Sequence, residues 1–449
     1  MGERSVTVIG GGLAGCEAAW QLARRGAAVD LFEMRPGRGT EAHATSGLAE
    51  LVCSNSFRDN TRLTAVGILK EEMRMLDSLI MRVADSVSVP AGSALAVDRV
   101  EFSRRVEEEI SRLDRVRIHR AELTAIPDRG VTVVATGPLT SPALSEALAR
   151  VFGDDHLYFY DAISPIVTAD SIDMSRAFRA ARYGKGGDDY INCPLNRRQY
   201  ERLVDEIRAA KHMPLKGFER CAYFEGCMPV EELARRGRDT LRFGPMKPVG
   251  LHDPRSGAQA WAVLQLRQDD GAGRLFSMVG FQTKMTYPEQ RRVFRLIPGM
   301  ERAEFVRLGS LHRNTYINAP KLLDRGLQLR ARRGVFVAGQ LTGVEGYVES
   351  CATGLLCGIN AARALGSRAS VYPPPSTALG SLLAYITEDS KKNFQPMNAN
   401  YGLFPPLEGR RIRGREKRRA LGERALSELS GWLVDAGVVA GRAPLESSG

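Results

Sequence analysis

The stretch at residues 5–34, SVTVIGGGLAGCEAAWQLARRGAAVDLFEM, constrains the fold of this chain more than any other feature. A β-branched run predicts a strand, a GxGxxG turn follows it, and the residues after the turn have helical periodicity. A second apolar run predicts another strand and ends at Glu33, where a carboxylate can bind ribose hydroxyls. In such a turn, glycines permit a tight bend, close approach of a pyrophosphate and packing of helix on strand. We therefore predict a dinucleotide site at Gly10, Gly11, Gly12, Leu13, Ala14, Gly15 and Glu33.

Two later segments indicate that the dinucleotide is FAD rather than NAD. GVFVAGQLTGVEGYVESCATGLLCGINAARAL, at 334–365, predicts a buried strand, a glycine-rich turn and a helix of small residues. VTVVATG, at 131–137, predicts a strand that abuts the middle of the cofactor and ends at Gly137. FAD is long and spans its domain, so many FAD proteins close the site with a late strand and helix, which NAD domains do not need. A second GxGxxG with flanking strand and helix is missing from the sequence, so a dedicated second nucleotide domain is not expected.

The middle of the chain has a different pattern. LNRRQYERLVDEIRAAKH predicts an amphipathic helix, and QAWAVLQLRQ and RLFSMVGFQTKM predict a pair of strands. We predict an α/β fold in which a Rossmann-like FAD-binding domain of the glutathione-reductase type carries an inserted α+β domain. The FAD-binding domain would comprise 1–161 and 313–449, the second part including a basic C-terminal helix, and the insertion would comprise 162–312.

The chain is strongly basic, with a formal net charge of +11 and a pI of about 9.4. Such an excess favours a polyanionic partner, usually nucleic acid, although a solvated basic surface is the alternative. Eight Lys and Arg and two acids fall within 410–424. Helical spacing puts Arg411, Arg415 and Arg419 on one face, which can contact phosphates or simply solubilise the helix. The opposite face, which can dock on the protein, would comprise Leu421, Ala425, Leu429 and Leu433.

The seven cysteines do not form a recognisable disulfide or metal pattern. Their number is odd, and neither a CxxC pair nor a zinc-ligand spacing is present. This usage fits a reducing cytoplasm. The sequence also has no signal peptide and no apolar run long enough to span a bilayer.

Two cysteines have neighbours that suggest chemistry. Cys227 directly precedes PVEELARR, a predicted short helix with Pro229 in its first turn and Gly237 at its end. The helix N-terminus favours a thiolate, whereas Glu231 and Glu232 in the first turn oppose one. Cys53 lies in the polar turn LVCSNSFRDN, where a cysteine is less typical of core filler. For both residues a buried structural cysteine is the alternative.

Several motifs together resemble the folate- and FAD-dependent tRNA (uracil-5-)-methyltransferase family. They are GGGLAGCEAAWQLA, LVCSNSFR, INCPLNRRQYERLVDEI, FEGCMPVEELARRG and GVFVAGQLTGVEGYVESCATGL. The resemblance covers nearly the whole chain, and its middle motifs are specific to that family. The two ends are shared with a longer flavoprotein that modifies the wobble uridine of tRNA.

The resemblance implies formation of 5-methyluridine in the T-loop of tRNA, at position 54, with methylenetetrahydrofolate as the carbon donor and reduced FAD as the reductant. NADH or NADPH would recharge the flavin. Cys227 would add to uracil carbon 6 and Cys53 would be its acid/base partner, or the two roles are exchanged. Tyr347 would lie against the flavin or its one-carbon unit, with a packing tyrosine as the alternative. Gly339 and Gly346 would let the backbone approach the cofactor.

Other functions remain open at this stage. A plain NAD(P)H-dependent flavin oxidoreductase would not need the basic helix or Cys227. A non-catalytic RNA-binding protein that keeps FAD for structure would bind RNA without either thiol. The same chemistry could act on ribosomal RNA, or the protein could carry out the related wobble-uridine modification. Only a test of the RNA substrate distinguishes these alternatives from methylation of the T-loop.

Overall fold

The computed structural model describes residues 5–40, 42–152, 156–162, 164–184, 187–213, 228–255, 257, 259–309, 311–389, 394–408 and 412–438, with the backbone alone described for 156–162 and 311–315. Two residues singled out from the sequence therefore lie outside the described residues: Cys227 and Arg411.

The described elements alternate between strands and helices along most of the chain. The strands are β1 Ser5–Ile9, β2 Ala28–Phe32, β3 Ser56–Asp59, β4 Ser88–Val89, β5 Ala94–Val97, β6 Val116–His119, β7 Val131–Val134, β8 His156–Ala162, β9 Ile166–Thr168, β10 Phe178–Arg179, β11 Tyr190–Leu195, β12 Ala262–Gln268, β13 Leu275–Met278, β14 Phe305–Arg307, β15 Leu311–Ile317 and β16 Val335–Val337. The helices are α1 Leu13–Arg24, α2 Ala65–Met75, α3 Leu79–Ser86, α4 Arg99–Ser111, α5 Pro142–Phe152, α6 Arg197–Ala209, α7 Val230–Arg236, α8 Thr240–Phe243, α9 Tyr287–Phe294, α10 Ala319–Leu322, α11 Tyr347–Leu365, α12 Ala378–Thr387 and α13 Gly414–Asp435.

A parallel sheet organises the two ends of the chain. Its strands lie in the order β16-β7-β1-β2-β6, and every neighbouring pair is parallel. Val6, Val8 and Val133 are fully buried, because helices cover a parallel sheet and its strands become continuous apolar runs. The strand from 335–337 joins the sheet beside β7, although it follows β7 by two hundred residues. The predicted α/β Rossmann-like fold is therefore confirmed.

Helices α1 and α11 pack unusually closely. A Cβ placed on Gly354 of α11 would stand 2.3 Å from the carbonyl oxygen of Ala14 in α1. One turn further, a Cβ on Gly358 would stand 2.6 Å from the carbonyl oxygen of Ala18. These glycines let the two backbones touch, so α11 holds the N-terminus of α1 in place.

A second, mostly antiparallel sheet comes from the middle of the chain. Its order is β10-β11-β12-β13-β9-β14, and all of its strands fall within 162–312. The predicted strand pair is present as β12 and β13, and the predicted amphipathic helix is α6. Asn196 caps α6 in a reciprocal capping box with Gln199. The antiparallel pair β8–β15 lies where the chain enters and leaves this region.

The basic helix α13 docks through the predicted apolar face. Leu421, Ala425 and Leu429 are buried, and Leu433 is partly buried against the main core. Arg415 and Arg419 are exposed on the other side. Neither α13 nor any other helix in the described part of the chain is long and apolar enough to cross a membrane.

Candidate active site

The glycine turn opens a cleft at the carboxyl ends of β1 and β7. Gly10 has a φ of +106°, and a Cβ there would lie 2.5 Å from the carbonyl oxygen of Ala135, so the turn requires glycine. At Gly12 and Gly137, in contrast, a Cβ would meet no atom within 4 Å. Gly12 is the N-cap of α1 and makes no side-chain cap, so backbone amides face that open space. The cradle fits the pyrophosphate of a dinucleotide.

The cleft gathers most of the predicted cofactor residues. The predicted residues along its wall are Gly10, Gly12, Leu13, Ala14, Glu33, Gly137, Gly339 and Tyr347. His43, Glu50, Thr136 and Ser350 line it as well. Thr136 and Ser350 fall within motifs quoted above but were not singled out, and His43 and Glu50 come from a loop without a motif.

The other predicted glycines shape the backbone around the cleft. A Cβ on Gly15 would lie 1.8 Å from the carbonyl oxygen of Gly10, which is the helix-to-strand contact that the motif predicts. A Cβ on Gly11 would meet Leu48, 2.5 Å away. Gly346 has a φ of +113°, and a Cβ there would meet the carboxylate of Glu349 at 2.5 Å. Backbone packing explains Gly15, side-chain packing explains Gly11, and the positive φ explains Gly346.

Glu33 ties the end of β2 to the glycine turn. It is only 5% exposed, and its carboxylate accepts hydrogen bonds from the Gly11 amide at 3.0 Å and from the Arg35 Nε at 2.8 Å. Burial raises the pKa of Glu33, but Arg35 and the two backbone amides outweigh burial and hold the pKa below its ordinary value. Glu33 is therefore an ionised acceptor. The Gly11 amide and the Arg35 amide and Nε take three of its four lone pairs, which leaves one for a ribose hydroxyl.

Replacing Glu33 by glutamine should weaken binding of the predicted FAD by about 10- to 100-fold, which is the usual value of hydrogen bonds to a charged acceptor. Equilibrium dialysis of FAD against the apoprotein measures the dissociation constant. Glu101→Gln, at a half-buried position of α4 that does not line the cleft, is the matched control, and equal affinities for the two variants would contradict the assignment.

At the inner end of the cleft, Tyr347 meets Cys53. The Tyr347 Oη lies 2.9 Å from the Cys53 Sγ, and it accepts hydrogen bonds from the Cys53 and Ser54 amides at 2.9 and 3.2 Å. Tyr347 is the first residue of α11, and Cys53 is half-buried. Burial and Cys53 raise the pKa of Tyr347 well above its usual value, although Arg99 opposes this. The structure thus brings together two predicted site residues that are 294 positions apart.

Three arginines surround this pair. Arg99, at the start of α4, donates to the Leu51 carbonyl at 2.5 Å and to Asp269 at 3.0 Å. Arg267, on β12, donates to Asn55 at 3.0 Å and to the Ser54 hydroxyl at 2.7 Å. Arg307 ends β14. None of the three could be recognised from a local sequence pattern, because two of them come from the sheet of the middle region and approach Cys53 only through the tertiary fold.

The region of the other predicted thiol is described from Met228 onward, so the position of Cys227 lies outside the described residues. The predicted helix after it is present as α7, with Pro229 as its N-cap and Gly237 following its last turn. Glu231 is fully buried in the first turn and accepts from the Met285 amide at 3.2 Å. Burial raises the pKa of Glu231.

Comparison with known proteins places the chain in a family. Residues 5–369 match the family model of glucose-inhibited division protein A. A methylenetetrahydrofolate–tRNA-(uracil-5-)-methyltransferase TrmFO of Geobacter sulfurreducens is 60% identical over 431 residues, covering 96% of this chain and 99% of that protein. The TrmFO protein of Geotalea uraniireducens is 57% identical, with coverage of 96% and 99%.

A solved structure supports the fold. GidA of Aquifex aeolicus, in its form I crystal, superposes with a TM-score of 0.72 over 97% of this chain and 76% of that one, at 17% identity. Identity that low supports the architecture alone. From the sequence matches, the chain belongs to the glucose-inhibited division protein A family, and within it to the methylenetetrahydrofolate–tRNA-(uracil-5-)-methyltransferases.

Proposed function

We propose that this protein transfers a one-carbon unit from methylenetetrahydrofolate to carbon 5 of the T-loop uridine of tRNA, at position 54, and reduces it to a methyl group. The observation that carries the proposal is the contact between Cys53 and Tyr347 at the inner end of a dinucleotide cleft. The printed names of the relatives supply the donor and the RNA. FAD, bound in its reduced form, supplies the hydride, and NADH or NADPH restores that form.

The two thiols make carbon 5 of uracil reactive enough to attack the carbon donor. Carbon 5 of uracil is a weak nucleophile, and addition of a thiolate to carbon 6 shifts the double-bond electrons into an enolate that can attack the donor. A base then removes the proton from carbon 5 as the bond from the methylene carbon to folate nitrogen breaks, which releases tetrahydrofolate and leaves an exocyclic methylene on uracil. Addition of a hydride to that methylene makes the methyl group, re-forms the double bond between carbons 5 and 6, and expels the thiolate from carbon 6. We assign the addition to Cys227 and the proton transfer to Cys53, and the reverse assignment is chemically equivalent.

The remaining residues bind and orient. The N-terminus of α1 holds the pyrophosphate of FAD at Gly12, and Glu33 holds a ribose. Tyr347 lines the cleft and also contacts Cys53, so it sets the thiol beside the reacting end of the cofactor.

The groove between α13 and α2 is the proposed contact for tRNA. Arg62, Arg415 and Arg419 line it together with apolar residues of both helices and with Glu416 and Glu423, the second of which pairs with Arg419 at 2.8 Å. Guanidinium groups of this kind bind phosphates and release counterions, so their contribution depends on salt.

The double variant Arg415→Gln/Arg419→Gln should weaken tRNA binding and reduce the slope of log K against log salt by about 0.9 for each lost phosphate contact. Filter binding at several salt concentrations measures the slope. Arg104→Gln/Arg105→Gln, which removes the same charge from exposed α4, should leave it unchanged. Equal slopes for both double variants would exclude the α13 groove as the RNA contact.

The function is tested with purified, flavin-loaded protein, unmodified tRNA, labelled methylenetetrahydrofolate and either NADH or NADPH. Mass spectrometry of RNA digests should find labelled 5-methyluridine in the T-loop, and none when folate is omitted. If the tRNA stays unmodified, the proposal is wrong; ribosomal RNA and the wobble position are then tested, followed by flavin oxidoreductase activity with quinones.

A further inference from the structure

The surroundings of Cys53 carry more positive charge than one would expect around a neutral thiol. Arg99, Arg267 and Arg307 each lie within electrostatic range of Cys53. Arg99 pairs with Asp269, and their side chains are 13% and 4% exposed. One carboxylate thus offsets one of the three guanidinium groups. Buried charge of this kind is costly unless an anion balances it.

Arg307 shows the imbalance most directly. Its Nε and Nη2 atoms are buried and have no hydrogen-bond partner among the described residues. Burial and the nearby Arg99 lower the pKa of Arg307 to about 10. Elsewhere in the chain this same edge of the guanidinium binds a carboxylate, as Arg255 does with Asp253 at 3.0 and 2.9 Å. Arg307 therefore has the edge that normally holds an anion but lacks an acid among the described side chains.

The hydrogen bonds at Tyr347 indicate which neighbour is the anion. The Cys53 and Ser54 amides both donate to the Tyr347 Oη and occupy its lone pairs. A hydrogen bond from the Cys53 Sγ to the Tyr347 Oη, which are 2.9 Å apart, would make that oxygen accept three hydrogen bonds. With both lone pairs filled by the amides, the hydroxyl is the better donor and the sulfur the better acceptor. A neutral thiol sulfur is a weak acceptor, whereas a thiolate is a strong one. A thiol also loses its proton more readily than a phenol does, so the negative charge of the pair belongs on sulfur.

We propose that Cys53 stands as a thiolate in the resting protein, held by the Tyr347 hydroxyl and by the field of Arg99, Arg267 and Arg307. Arg307 is a positioning residue: it acts through Cys53, and removing it breaks no hydrogen bond within the described structure. The negative charge of Asp269 opposes this field, but it is one charge against the three of the arginines. How the thiolate is used rests on the proposed function, because an anionic Cys53 can take the carbon 5 proton or add to carbon 6 but cannot donate a proton.

The test is the pH dependence of Cys53 alkylation in the flavin-loaded protein. Iodoacetamide forms a bond to the thiolate sulfur and releases iodide, and peptide mass spectrometry reads Cys53 separately from the other cysteines. We expect half-maximal rate at or below about pH 7, against about 8.5 for an ordinary thiol. Arg307→Gln should raise that midpoint by about one pH unit, slowing alkylation at pH 6 by about tenfold. Arg307→Lys, which keeps the charge, should restore most of the shift.

Arg274→Gln is the matched control, because the Arg274 side chain is 82% exposed and lies in the same middle region of the chain. This variant should leave the midpoint of alkylation unchanged. Tyr347→Phe should raise the midpoint, since the hydroxyl donor is lost. Melting temperature and flavin spectrum establish that each variant is folded. A midpoint near 8.5 in the wild type, no alkylation at any pH, or an unmoved midpoint in Arg307→Gln would overturn the proposal. RNA and folate are absent from this assay, so a failure to methylate tRNA would leave its result intact.

Discussion

Replacing Cys53 with alanine will reduce 5-methyluridine formation by at least about 100-fold while the protein stays folded and retains its flavin. The magnitude follows from the loss of a positioned group that transfers a proton in the reaction. Cys53 is half-buried and contributes little to the core, so its removal acts on chemistry rather than on folding. Single-turnover methylation of tRNA, followed by mass spectrometry, measures the effect. Cys227→Ala will show a comparable loss if that thiol adds to carbon 6.

A buried thiol of the same chain supplies the control. Cys193 lies on β11, is fully buried, and has a pKa that burial raises to about 12, so it cannot react at neutral pH. Cys193→Ala should lower the melting temperature through the small cavity it leaves, with no loss of methylation in the folded fraction. If Cys53→Ala methylates tRNA as fast as Cys193→Ala does, the proposed role of Cys53 is wrong.

Replacing Gly354 with valine will destabilise the protein by at least about 3 kcal/mol and abolish flavin binding. Its Cβ would stand 2.3 Å from the carbonyl oxygen of Ala14 and 2.7 Å from the Ala14 Cα, and both are backbone atoms that cannot rotate away. The two helices must separate, which displaces the N-terminus of α1 and the cradle at Gly12. Thermal unfolding and FAD dialysis measure the two effects.

Gly431 of α13 is the matched glycine, since a Cβ there would meet nothing within 4 Å. Gly431→Ala should stabilise the protein by about 0.5–1 kcal/mol through reduced backbone freedom in the unfolded state. If Gly354→Val has the melting temperature of the wild type and binds FAD, the packing of α1 on α11 does not depend on this contact.

Local patterns allowed the dinucleotide end of the molecule to be predicted from sequence. The strand, turn and helix at 5–24 are consecutive, so the spacing of Gly10, Gly12 and Gly15 alone defines their geometry. The docking face of α13 could also be predicted from sequence, because residues four apart share one side of a helix. The family, and with it the class of reaction, followed from longer motifs that the comparisons confirm.

The electrostatic part of the candidate site could not be predicted in this way. Arg267 and Arg307 stand in short strands where an arginine at one position predicts only an exposed side chain. Their position near Cys53 depends on how the second sheet meets the first, and a local sequence pattern does not predict that packing. The role of Tyr347 was available only through the resemblance, and its hydrogen bonds to the Cys53 and Ser54 amides only through the structure.

The long sequence separation between Cys53 and its neighbours has a consequence for biosynthesis. The groups around the thiol come from residues 99, 267, 307 and 347, so on the ribosome most of them emerge long after Cys53 does. Until they arrive, Cys53 in the nascent chain is an ordinary, mostly protonated cysteine that reacts slowly with oxidants. On the proposed thiolate, the reactivity of Cys53 depends on completion of the fold, and we expect an unfinished or misfolded copy to contain an ordinary thiol at this position.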